Sequence, residues 1–143
     1  MSVAATYAAL VTLVAASSGI AKCTSAVPSK LDDLDLPRAI VRAAEAEWNE
    51  HAQDLRRQKR YYIISVFVKA VAQGKPVDEG YQACLAPLNA LGVSLLSDPT
   101  LGNTIDHFGD YGEFTDGGVT VLEYAGIAYH GFEFRVATTE KAT

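Results

Sequence analysis

The chain has 143 residues, with 12 Lys and Arg against 17 Asp and Glu, a net charge of -5 and a pI near 5.1. That length favours one domain around a single core, and 49% hydrophobic with 20% charged residues is a globular composition, not a disordered one. The acidic balance excludes general duplex-DNA binding through a wholly basic surface. The two cysteines, Cys23 and Cys84, form no metal motif and read as partly buried thiols of a reducing compartment.

Residues 3–21 are apolar enough to suggest a signal peptide or an anchor. They carry no Lys or Arg ahead of the apolar run, which a secretory signal wants. Thr6, Thr12, Ser17, Ser18 and Gly19 interrupt the run, and it is short for a spanning helix. The expectation is therefore an N-terminal amphipathic helix within residues 1–20 and no membrane partner. Tyr7, Leu10, Val11 and Val14 would form its apolar face, with Ser17-Ser18-Gly19 as its stop. Residues 20–36, rich in Ser, Thr, Asp and Pro, predict an irregular connection, and Pro37 presets an extended start for the next strand.

The stretch 36–70 predicts two long strands joined by a charged turn over 50–60. In the second, Tyr61, Ile63, Ser65 and Phe67 alternate with Tyr62, Ile64, Val66 and Val68. Both faces are apolar or aromatic. One can pack on a helix of the same chain, and the other needs a second surface, such as another subunit. The first strand sets Ala39, Val41 and Ala43 against Ile40, Arg42, Ala44 and Ala46. A hairpin is the favoured reading over a helix continuing through 43–58.

Residues 72–76 end the second strand. A helix is expected from Val77, with Asp78 as cap and Glu79 in its first turn. Tyr81, Leu85, Leu88 and Leu91 would be its stripe, Pro87 its kink or break, and Gly92 its stop, with a second short helical or turn segment over 93–101. Residues 105–114 predict a strand, Thr115-Asp116-Gly117-Gly118 a hairpin turn and 119–124 a further strand. Ala125-Gly126 reads as a bulge. Ala128, His130, Phe132, Phe134 and Val136 then alternate with Tyr129, Gly131, Glu133, Arg135 and Ala137, a strong strand signal. The tail 138–143 reads as loose. The fold class is α+β: an N-terminal helix and a four-stranded, mainly antiparallel sheet in the order α-β-β-α-β-β, helices on one face, in one domain spanning 1–143.

No phosphate loop, HExxH, paired CxxC or GxSxG occurs. The best enzymatic constellation is Asp106-His107 with Asp110 and Glu113, which could bind a cation or serve as base and acid. Its spacing matches no ligand pattern, and Asp and His are common at strand edges and turns for conformational reasons. His51 and His130 are isolated. The basic run Arg56, Arg57, Lys59 and Arg60 either balances Glu45, Glu47, Glu50 and Asp54 across the hairpin or contacts an acidic partner or nucleic acid.

Several local features together resemble the tail terminator proteins of long-tailed bacteriophages. They are the short N-terminal helix, then Asp32-Asp33-Leu34-Asp35-Leu36-Pro37-Arg38-Ala39-Ile40-Val41, then a charged turn and Tyr62-Ile63-Ile64-Ser65-Val66-Phe67-Val68. An acidic-started helix with an interior proline follows over 78–101, and a hairpin closes on the alternating aromatic strand over 119–136. The strongly apolar first helix and the glycines at 126–131 depart from that pattern. The resemblance spans about 1–138 and implies structure, not catalysis, with no cofactor and no metal. Such proteins form a homo-oligomeric ring, typically a hexamer, at the neck end of the virion tail after assembly in the host cytoplasm. The ring caps the tail tube, stops its polymerisation and meets the head-tail connector, while phage DNA passes through its channel. A neck or head-completion connector is the neighbouring alternative, and a small metal-dependent enzyme using Asp106, His107 and Asp110 is the alternative of another class. Subunit or partner contacts are expected from strands 38–48 and 60–71 and from loop 103–118, through Arg56, Arg57, Lys59, Arg60, Tyr61, Ile63, Phe67, Asp110, Tyr111 and Phe114.

Overall fold

The computed structural model describes residues 3–51, 55–71, 77–109 and 113–141, with backbone alone at 49–51, 55–57, 77–78 and 140–141. In chain order the elements are helix α1 (Val3–Ala15), strands β1 (Lys22–Cys23), β2 (Arg38–His51) and β3 (Leu55–Ala70), helix α2 (Val77–Ser97), and strands β4 (His107–Phe108), β5 (Thr115–Asp116), β6 (Thr120–Tyr124) and β7 (Ile127–Lys141). A 3-10 turn, Asp33–Asp35, interrupts the connection between β1 and β2, and the Leu36-Pro37 peptide bond is cis.

The class is α+β, but the sheet has seven strands, not four, and it is mixed because β1 runs parallel to β2. Its frame is the antiparallel trio β2-β3-β7. β6, β5 and β4 line the far edge of β7 one after another, each antiparallel to it. The hairpin reading of 36–70 holds in the pairing of Arg38 with Phe67 through His51 with Leu55. Its tip, 52–54, lies outside the described residues.

Alternation explains the core. Ala39 and Val41 of β2, Tyr62, Ile64, Val66 and Val68 of β3, and Phe132, Phe134 and Val136 of β7 all bury toward Leu10 and Val14 of α1 and Cys84, Leu91 and Leu95 of α2. The buried stripe of α1 is Thr6, Leu10 and Val14, while Tyr7 and Val11 are half-buried at its margin. The stripe of α2 is as expected only in its second half, at Leu88 and Leu91. Tyr81 and Leu85 are exposed, and Cys84, Leu91 and Leu95 are buried. Pro87 neither breaks nor ends α2. Core residues hold the helix on both sides of the proline, and its ring packs so near the chain that a Cβ on Gly19 would lie 3.2 Å from it. Tertiary packing outweighs one missing hydrogen bond there. Of the 93–101 segment, 93–97 continue α2, and the chain then turns through Leu101, Gly102 and Asn103, all at positive φ, with Asp98 Oδ1 accepting from the Gly102 N–H at 2.9 Å. The Asp78 side chain lies outside the described residues.

The C-terminal third differs from expectation in four places. Among the described residues of 105–114 only His107–Phe108 is strand, with Ile105 and Phe108 turned into the core; 110–112 lie outside the described residues. Thr115-Asp116-Gly117-Gly118 does not close a hairpin: Thr115 and Asp116 pair with Arg135 and Phe134 of β7, and the glycines carry the chain on to β6 along the same edge. The hairpin turn is Ala125-Gly126, not a bulge. Tyr124 pairs with Ile127, and both turn residues have positive φ, 52° and 80°, as a two-residue type I′ turn demands. Alanine is a poor occupant of that conformation. Ala125→Asn is expected to raise stability by about 0.5–1 kcal/mol and the melting temperature by about 2–4 °C in a calorimetric scan. Finally, of the tail 138–143 expected to be loose, 138–141 are strand, and 142–143 lie outside the described residues. Residues 138–141 extend β7 between Arg57–Arg60 and β4, and Thr138 is wholly buried.

Candidate interaction surface

Among the described residues, the opposite face of the sheet is covered at one end only. There Leu31, Ile40, Phe67 and Tyr129 form a second small core, with Leu36, Leu122 and Tyr124 at its rim. The cover is the 24–36 connection. Tyr124 Oη donates to Pro28 O, and Phe67 meets Tyr124 and Tyr129 edge-on at 5.3 and 5.7 Å between ring centroids. Phe67, expected at an interface, is thus enclosed by its own chain and only 4% exposed.

Beyond Ser65, whose hydroxyl donates to Glu133 Oε2 at 2.7 Å, no described helix covers this face. Lys59, Tyr61 and Ile63 stand there half-buried, in register with Thr139, Ala137 and Arg135 of β7. Arg42 pairs across with Ile63, so the row Arg42–Ile63–Arg135 crosses three strands. The Arg135 guanidinium lies 4.2 Å from the Tyr61 ring centroid, and Lys59 Nζ lies 5.9 Å from the same ring, both in cation–π range. Arg135 is also paired with Glu45. The Glu45 carboxyl sits below the usual carboxylate range, held there first by its own backbone N–H and then by Arg135. Lys59, Tyr61, Arg135 and Ala137 line a cleft of about 260 Å³, closed on its other side by Gly109, Glu113, Phe114 and Thr115.

The remaining expected contact residues divide. Arg60 points to the other face of the sheet, donating from Nη1 to Ala44 O at 3.0 Å and lying 6.0 Å from the Trp48 ring centroid. Phe114 belongs to the main core: its ring packs 6.1 Å from Phe108 and 5.9 Å from Phe134. Arg56 and Arg57 lie in β3 opposite Glu50 and Asn49, with side chains outside the described residues. Asp110 and Tyr111 lie outside the described residues altogether. Sequence reasoning passed over Trp48, which is 61% exposed on the hairpin arm, and Arg135, whose place on the uncovered face followed from its alternation with Phe134.

Asp106 is exposed, and His107 Nδ1 lies 3.4 Å from Phe108 O at the end of β4. Among the described residues no three His, Cys, Asp or Glu side chains stand close enough together to hold a metal ion. His130 is buried against the first turns of α2, in ring contact with the space a Cβ of Gly80 would need. Burial pushes the Cys84 thiol up to about 11; it raises Cys23 too, against the opposing charge of Arg38. No described helix is long and apolar enough to cross a membrane. The helix layer carries a shallow groove of about 620 Å³ between α1 and α2, walled by Ala8, Thr12, Leu13, Val93 and Ser94. No protein-family model matches the sequence, and no curated protein matches it.

Proposed function

We propose that this chain is a structural protein of a bacteriophage particle, a tail terminator whose copies close into a ring on the tail tube. The observation that carries the reading is the half-covered sheet. One end of the face is sealed by the chain's own 24–36 connection, while the other leaves Tyr61, Ile63 and Arg42 of a long hairpin, beside Arg135 of β7, uncovered by any described helix, and the hairpin's arm also exposes Trp48. Tyr, Trp and Arg are the side chains most enriched among those that dominate interface energies. A head-to-tail contact between this arm and the next copy would repeat around a closed ring and leave no free end. The ring would stop tube growth, meet the head-side connector and pass the genome through its centre. The test is light scattering on the purified chain, alone and with tail tubes. A hexameric mass, or capping of tubes at fixed length, is the expected outcome. Trp48→Ala combined with Tyr61→Ala is expected to lower assembly at least tenfold while leaving the melting temperature within about 2 °C. A monomer at all micromolar concentrations that neither binds nor caps tubes would sink the reading. Binding to the connector but not the tube would assign the chain to the neck instead.

A further inference from the structure

Arg38 opens β2 and is only 3% exposed. Its Nη2 donates to Thr24 Oγ1 and to Ala26 O, both at 3.1 Å and both neutral acceptors. Its Nε is buried and has no acceptor. Among the described residues no carboxylate lies within ion-pair distance of it. Of the acids in the neighbouring connection, Asp35 faces Lys22 at 3.5 Å, Asp32 Oδ1 accepts from the Leu34 N–H at 3.1 Å, and Asp33 is exposed. A guanidinium out of water without a counter-charge is a costly arrangement. Its Nε and Nη2 edge is also the geometry that receives two oxygens of one oxyanion.

We propose that Arg38 is a receptor for an oxyanion, a carboxylate or phosphate group, and that residues 24–27 form the strap that closes over it. The strap is lightly held. Thr24, Ser25, Ala26 and Val27 are all exposed, Val27 by 68%. The first firm anchors beyond them are Pro28, bonded to Tyr124, and the buried Leu31. Lifting residues 24–27 breaks the two bonds from Nη2 and releases two acceptors that water can satisfy, so the opening costs few contacts. The incoming anion then replaces two neutral oxygens with charged ones and gives Nε its partner. The anion comes either from solution or from an acidic side chain of a neighbouring chain.

Thermal melts of the full chain in chloride and in inorganic phosphate, at matched ionic strength, test this. Phosphate at ten times its dissociation constant is expected to raise the wild-type melting temperature by about 4 °C and to leave Arg38→Met unmoved. In chloride, Arg38→Met is expected to melt at or above wild type, since it removes a buried charge and keeps the shape. If Arg38 is only a pin for the strap, the variant melts lower and phosphate acts on neither protein; that result overturns the proposal, as does an equal phosphate response in both. The source follows from protein concentration. A wild-type melting temperature that rises with concentration in chloride and loses that dependence in phosphate assigns the anion to a neighbouring chain, and a concentration-independent one assigns it to solution. Should Arg38→Met fail to fold, the Nε–H resonance of Arg38, identified by its loss in Arg38→Lys, decides the matter. It moves on phosphate titration if the receptor exists and stays fixed if it does not.

Discussion

Gly131→Ala is expected to destabilise the fold by about 3–4 kcal/mol and to lower the melting temperature by roughly 10 °C. Gly131 faces Phe67 on one side and Thr120 on the other, at the place where β3 and β7 slip register around Val68. A Cβ built there falls well inside 3.0 Å of Val66 O, an approach that real Cβ atoms do not make. The obstacle is backbone, so no rotamer change relieves it, and the strands must part at the centre of the sheet. Glycine in a strand often marks such a close approach. The control is Gly117→Ala, where the added methyl meets nothing within 4 Å and φ is not positive; it is expected within about 0.5 kcal/mol of wild type. Urea titration of the three proteins reads both values. A Gly131→Ala midpoint indistinguishable from the control would mean that the two strands do not lie as close as described.

How much of this was legible beforehand depended on whether a signal was local. The alternation in 61–68 and 128–137 assigned each side chain to a face, because a strand has only two. That assignment places Tyr62, Ile64, Phe132 and Phe134 in the core and Tyr61, Ile63 and Arg135 on the other side. What covers a face is not a local property. Phe67 shares a face with Tyr61, yet it is sealed because the 24–36 connection folds back over it, thirty residues away in sequence. Phe114 stands among glycines and acids that suggest a loop tip, but its ring fills space beside Phe108 and Phe134. Pro87 and Ala125-Gly126 misled for the same reason in reverse. Their local preferences are real, and packing on both sides of α2 and the pairing of β6 with β7 decided which of several permitted conformations they took. Arg38 gave no signal, since an arginine after a proline is unremarkable until the strap covers it.

Phe134→Ala is expected to cost about 3–5 kcal/mol, the range for truncating a buried aromatic without collapse of the site. Phe134 is 2% exposed and links its own strand to two other parts of the fold. Its ring lies 5.9 Å from both Phe132 and Phe114, and a Cβ on Gly92 of α2 would be 3.8 Å from it. Removing it therefore leaves a cavity between helix and sheet and frees Phe114, the side chain that ties residues 113–116 to the core. Hydrogen exchange at the backbone amide of Gly117, which donates to Glu133 O at 3.2 Å, should accelerate more than global unfolding alone explains. Ile63→Ala, on the same sheet but the uncovered face, is expected to cost under about 1.5 kcal/mol, because its side chain already stands partly in water. The pair separates two roles that a single strand-forming pattern confers. If Ile63→Ala proves as destabilising as Phe134→Ala in the isolated chain, that face is sealed within one molecule and has nothing left to offer a neighbour. If Ile63→Ala spares the monomer but weakens self-association, the apolar surface that one copy leaves open is what the next copy covers.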